Sequence, residues 1–245
     1  MNPSEKVKYI SNWIKSYVNN MPSKAEALVI GISGGIDSSV SSTLSAMTGL
    51  KTIVLSMPIK QKENQHDLSL KHQNWLVKKF KNVEAHTLNL DQLFNSFSST
   101  LNKFDNEHGF ANSRARLRMA TLYQVAAANK GIVVGTGNKV EDFGVGFYTK
   151  YGDGGVDISP IADCNKTEVW ELGKELGILK EIIDAPPTDG LWDDGRTDEG
   201  QLGFSYKDLE DAMKNPDSPH KTEYEKIRKQ NLHKMEPIPV CKIPS

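Results

Sequence analysis

Short, solidly apolar runs alternate with helical stretches along most of the 245 residues, and this alternation constrains the fold more than any other feature. Residues 27–32, 52–57, 83–90 and 131–135 read as strands, and the stretches 38–47, 65–80 and 111–129 between them carry helical spacing. Strands that are apolar throughout, rather than at every second residue, are buried on both faces. That places them in a parallel sheet covered by helices on each side. The expected class is α/β, a Rossmann-like doubly wound parallel sheet. Before the first strand, residues 11–18 set Trp13, Ile14, Tyr17 and Val18 at helical spacing, as in an amphipathic helix. On the 111–129 helix, Leu117, Met119, Leu122, Val125 and Ala126 are expected to face inward. Beyond Thr136 the texture changes to glycines among aromatics, then a helix at 166–176, a polar loop at 186–204 and a charged helix at 221–234. A single domain over 1–245 accommodates all of it.

Thirty basic and thirty-one acidic side chains leave a net charge of −1. Nucleic-acid coats and polybasic membrane anchors need a surface of one sign, so neither a nucleic acid nor a membrane is an expected partner. No apolar run approaches the roughly 20 residues that cross a bilayer, and the N-terminal residues have no uninterrupted apolar core of a secretory signal. Cys164 and Cys241 are too few for a disulfide scaffold or a thiolate zinc site. A reducing cytoplasm is the expected compartment.

Gly31-Ile-Ser-Gly-Gly-Ile-Asp-Ser-Ser39 follows the first strand and opens a helix, where backbone N–H groups and the helix dipole favour an anion. Gly34 and Gly35 admit a ligand close to the backbone, and Ser33, Ser38 and Ser39 add hydroxyl donors. Asp37 would repel bound phosphates unless a divalent cation lay between, and oxygen-rich sites of that kind suit Mg²⁺. A plain glycine-rich turn with a capping serine would need nothing bound, but it would not need Asp37 either. The common P-loop requires Gly-Lys-Ser/Thr where this chain has Gly35-Ile-Asp37. The dinucleotide fingerprint requires a third glycine that Gly135-Thr-Gly-Asn-Lys-Val140 lacks.

Ser33-Gly-Gly-Ile-Asp-Ser38 resembles the loop of the N-type ATP pyrophosphatases, enzymes that cleave ATP between its α- and β-phosphates. Ser113-Arg-Ala-Arg-Leu-Arg-Met119, Gly135-Thr-Gly-Asn-Lys-Val-Glu141, Tyr148-Thr-Lys-Tyr-Gly-Asp-Gly-Gly155 and His233-Lys234 extend the likeness over essentially the whole chain. Together they resemble the ammonia-dependent NAD synthetase family. The resemblance implies a sheet of the adenine nucleotide alpha hydrolase type with strand order 3-2-1-4-5. It implies amidation of deamido-NAD by ammonia through an adenylated intermediate, with AMP and pyrophosphate released, and a homodimer sharing its site across the subunit boundary. The reach needed from the tail, His233 and Lys234, back to the nucleotide also favours a partner chain.

Carried over residue by residue, the likeness places Gly31, Ile32, Ser33, Gly34, Gly35, Ile36, Asp37, Ser38, Thr136, Lys166 and Thr188 at ATP. Asp37 and Glu141 fall at Mg²⁺, Asp153 at ammonia, and Arg116, Lys150, Asp157, His233 and Lys234 at deamido-NAD. Asp153, Lys166 and Thr188 are the catalytic candidates. Asp37 and Glu141 are expected near solvent when no metal is bound. Arg114 and Arg118, four residues apart, would form a solvated stripe, and Arg116 would turn toward apolar neighbours, where only an anion makes its charge tolerable. The loop 186–204 reads as a lid that keeps water from the adenylate. One residue more than the commoner family spacing separates Glu141 from Lys150. No glutaminase is expected, so free ammonia is the nitrogen donor. Two alternatives remain: a relative that adenylates another acceptor, a tRNA-modifying or GMP-forming enzyme, and an ATP-binding module without turnover.

Overall fold

A computed structural model describes residues 1–60, 63–188 and 197–244. Asn2 caps the first helix, α1 (Pro3–Asn20), by accepting from Glu5 N at 2.9 Å while Glu5 Oε2 accepts from Asn2 N at 3.0 Å. That reciprocal cap starts the helix well before residue 11. Val7, Ile10, Ile14 and Val18 form its buried face, whereas Trp13 and Tyr17 lie on the exposed side. Then follow β1 (Ala27–Gly31), α2 (Ile36–Met47), β2 (Lys51–Ser56), α3 (Glu63–Lys79), β3 (Val83–Thr87), α4 (Asp91–Thr100), α5 (Glu107–Ala128) and β4 (Gly131–Val133). A π-helical turn (Lys139–Val145) precedes α6 (Lys166–Leu176), α7 (Lys180–Ile183), α8 (Asp198–Leu202), α9 (Tyr206–Lys214) and α10 (Lys221–Met235).

The sheet is parallel with order β3-β2-β1-β4. The fifth position is reduced to one parallel bridge between Val134 and Ile158. Alternate residues of β1 serve opposite faces. Leu28 and Ile30 join the core under α1, α2 and α6, while Ala27 and Val29 join the core under α4 and α5. This two-sided burial explains the uninterrupted apolar run, because each such side chain gains about 1.5–3 kcal/mol from leaving water. A third, smaller core holds Val140, Val145, Tyr206, Leu209, Ala212 and Tyr224, joining the π-helical turn to α9 and α10.

Close packing of α6 on α2 positions the site. A Cβ on Gly173 would lie 2.6 Å from Ile36 Cδ1, so with glycine there α6 approaches α2 without displacing that side chain. The contact sets Lys166, first residue of α6, beside Asp37, second residue of α2. Within the 186–204 loop, α8 occupies 198–202, while 189–196 lie outside the described residues. Among the described residues no helix is long and apolar enough to cross a membrane.

Candidate functional site

A cavity of about 640 Å³ opens beyond the carboxyl ends of β1 and β4, where strand order reverses. Every residue from Gly31 to Ser38 lines it, with Thr136, Glu141, Asp142, Asp153, Lys166 and Thr188. The loop is braced by its own hydroxyls: Gly35 N donates to Ser33 Oγ at 3.1 Å, Ser33 N to Ser38 Oγ at 3.2 Å, and Ser39 Oγ to Gly35 O at 2.9 Å. Gly35 caps α2 without a side chain, leaving the helix N-terminus open toward the cavity.

At the cavity wall Lys166 Nζ donates to Asp37 Oδ2 at 2.6 Å and to Glu141 Oε1 at 2.8 Å. The lysine side chain is 2% exposed and the carboxylates 18% and 15%, so all three charges are largely withdrawn from water. This corrects the expectation that Asp37 and Glu141 stand near solvent; α6 packs its first residue between them. Burial disfavours the lysine's charge, but the two carboxylates outweigh it and raise its pKa. Burial also lifts Asp37 above the ordinary carboxylate range, against the pull of Lys166. At Glu141 burial acts in the same direction, but Lys166 and Tyr206 together hold it below that range.

Two further side chains support this centre. Asn138 Nδ2 donates to Asp37 Oδ1 at 3.0 Å, while its own Oδ1 accepts from the backbone N–H groups of Val140 and Glu141. Tyr206 donates its hydroxyl to Glu141 Oε1 at 2.5 Å. Asn138 lies within the Gly135–Glu141 segment but was given no role from sequence, and Tyr206 was not singled out at all.

A π-helical turn, Lys139–Val145, carries Glu141 between Asn138 and the loop of Lys150. Asp142 follows Glu141 there and faces the cavity. Its carboxylate takes the space a side chain at 137 would fill, a Cβ on Gly137 falling 1.8 Å from Asp142 Oδ2. Burial, then the charges of Asp153, Glu141 and Asp37, raise the Asp142 pKa well above the usual range. Asp153 sits at the cavity edge and accepts from Thr149 N at 3.0 Å.

A basic group lies beside the loop 148–155. Lys150 Nζ donates to His233 O at 3.3 Å, Lys234 Nζ to Tyr148 O at 2.8 Å, and Tyr148 Oη to Lys234 O at 2.5 Å. The tail thus returns to Lys150 within one chain, which removes the argument that its reach requires a partner. Arg116 Nε donates to Lys150 O at 3.3 Å. Among the described residues Arg116, Lys150 and Lys234 make no ion pair, and burial lowers the Lys234 pKa.

The arginines are arranged opposite to expectation. Arg116 is exposed, whereas Arg114 is buried with its guanidinium 5.0 Å from the Phe94 ring centroid, and Arg118 Nε donates to Met57 O at 3.0 Å. Of the five α5 residues expected inward, Ala126 alone is fully buried; the others are half-buried. Asp157 lies outside the cavity lining, accepting from Val133 N at 2.7 Å and Tyr123 Oη at 3.1 Å.

Comparison with known proteins places this geometry. The NAD synthase family pattern matches residues 6–243. The NH(3)-dependent NAD(+) synthetase of Carboxydothermus hydrogenoformans is 38% identical over 86% of this chain and 85% of that protein. Its counterpart from Alkaliphilus oremlandii is 35% identical over 99% and 98%. The solved NMN synthetase of Francisella tularensis superposes with a TM-score of 0.90 at 32% identity, covering 99% of this chain and all of that one. A family pattern spanning nearly every residue, on a fold that brings the phosphate loop, Glu141 and Lys166 to one cavity, leaves one assignment: the chain belongs to the NAD synthase family.

Proposed function

We propose that the chain converts deamido-NAD to NAD, using ATP and free ammonia through an adenylated intermediate. The observation that carries this reading is the convergence of Asp37 and Glu141 on one cation, Lys166, beside the phosphate loop. The loop N–H groups and the α2 terminus take the ATP phosphates, with Thr136 and Thr188 at the cavity rim. Two carboxylates able to share a cation fit Mg²⁺ of the kind completed by substrate phosphates and water rather than by an all-protein cage. Among the described residues no larger group of metal-binding side chains competes with them. Mg²⁺ held by Asp37 and Glu141 would neutralise phosphate charge. Lys166, which lines the same cavity, would stabilise charge on the departing pyrophosphate.

The carboxylate of the nicotinate ring attacks the α-phosphorus, and pyrophosphate leaves. Asp153 holds ammonium and accepts one of its protons; ammonia then adds to the activated carbonyl and AMP departs, leaving the amide. The unpaired cations Arg116, Lys150 and Lys234, with His233, suit the negative charge of the dinucleotide, and Asp157 stands close by along the chain. The whole chain, 1–245, is read as one synthetase domain, and beside its phosphate loop Pro187 and Thr188 line the cavity, with Asp198 N donating to Pro187 O at 3.0 Å. Both cysteines are free thiols, in keeping with the cytoplasm, and burial raises Cys164 to about 11, unsuited to a glutaminase nucleophile. A homodimer completes the reading.

The likeness to an NMN synthetase at a TM-score of 0.90 favours a second acceptor, nicotinate mononucleotide, for the same chemistry. Incubation with ATP, Mg²⁺ and ammonium, with either acceptor, tests both readings: AMP with NAD supports the first, and AMP with NMN at higher kcat/KM replaces it. Glutamine serving as well as ammonium would overturn the donor assignment.

A further inference from the structure

Tyr206 is the largest fully buried side chain, 1% exposed at the first position of α9. Its hydroxyl lies 2.5 Å from Glu141 Oε1 and 3.2 Å from Asp198 Oδ2. A phenol has one proton, and the shorter contact marks Glu141 as its acceptor. Burial and the neighbouring carboxylates raise the phenol pKa, so that proton stays in place. The ring lies 4.8 Å from Lys166 Nζ and meets Trp170 edge-on at 5.8 Å. The Tyr206 backbone N–H donates to Glu199 Oε1 at 2.9 Å, and Asp198 N closes on Pro187 O at 3.0 Å. One residue therefore touches a carboxylate of the charged centre, the lysine within it, and the segment that returns to the cavity beside Thr188.

We propose that Tyr206 is a positioning residue whose hydroxyl fixes the Glu141 carboxylate for its cation; the role rests on the reading of Glu141 as a Mg²⁺ ligand. Lys166 cannot perform this task alone. It is shared with Asp37, and the reaction calls it toward the phosphates. The Tyr206 bond persists whichever way the lysine turns. Partners of metal ligands of this kind are typically worth 10–100-fold in affinity or activity.

Tyr206→Phe keeps the ring over Lys166 and against Trp170 while deleting only the hydroxyl. Mn²⁺ binding would be followed by electron paramagnetic resonance with α,β-methylene ATP present, alongside thermal unfolding and the Mg²⁺ dependence of rate. The expected result is a folded variant whose Mn²⁺ dissociation constant rises about 10-fold or more. The half-saturating Mg²⁺ should rise in parallel. Unchanged Mn²⁺ affinity in folded Tyr206→Phe overturns the proposal, and failure to fold overturns it by making the hydroxyl structural. Wild type that binds no Mn²⁺ refutes the metal reading itself, an outcome separable from the others.

Discussion

Lys166→Met keeps the aliphatic stem and removes only the ammonium held between Asp37 and Glu141. The two carboxylates then lose the ammonium that compensates their mutual repulsion, which for two like charges about 5 Å apart is about 3 kcal/mol at an effective dielectric near 20. Protonating one of them at pH 7 would instead cost about 4 kcal/mol from an ordinary pKa near 4. The protein takes the cheaper course, so the variant should lose about 3 kcal/mol at pH 7, within the range for breaking one side of a buried ion pair. At pH 5 protonation costs only about 1.4 kcal/mol and caps the loss near that value. In the variant one carboxylate has its folded pKa raised above its unfolded value. Between those values the folded state binds more protons, and stability falls as pH rises through the window. Urea unfolding of wild type and variant at pH 7.5 and pH 5, without nucleotide, reads both the size and the slope. Equal stability at pH 7.5, or a deficit that grows on acidification, would refute the electrostatic account of this centre.

The arginines on α5 should separate cleanly. Arg116→Ala, at an exposed position, should raise KM for the nucleotide acceptor about 10-fold, one charge-assisted contact's worth, without moving Tm. Arg114→Ala loses packing over Phe94 and should cost about 1–2 kcal/mol in urea unfolding with KM little changed; the reverse pattern would contradict the assigned orientations. Light scattering at micromolar concentration should give twice the mass of one chain. A fully active single-chain species would rule out a shared site.

What could be read along the chain was local. The phosphate loop follows an apolar strand directly, and α6 starts and stops at Lys166 and Leu176 as its spacing indicates. The proximity of Glu141 to Asp37 was expected only through the strand order that the family resemblance implies, and β1 and β4 are adjacent as that order has it. The α5 arginines were misassigned because its apolar residues spread around the helix, leaving several faces half-buried, so spacing could not choose the inner one. Tyr206 lies 65 residues from Glu141, and Asn138 101 residues from Asp37. Neither pairing leaves a local trace. That Asp142, within the π-helical turn, lines the cavity is likewise a matter of packing.

The charged centre is assembled from two cooperative units. Ile32 and Ile36, flanking the phosphate loop, belong to the large core beneath α1, α2 and α6. Val140 and Val145, on either side of Glu141, belong with Tyr206 to the small core of α9 and α10. Trp170 packs against both. Opening of the small core alone would leave the sheet and phosphate loop standing while dispersing Glu141, Tyr206 and the bonds from Lys234. If the small core opens before the sheet, amide exchange should be faster through 139–145 than in β1.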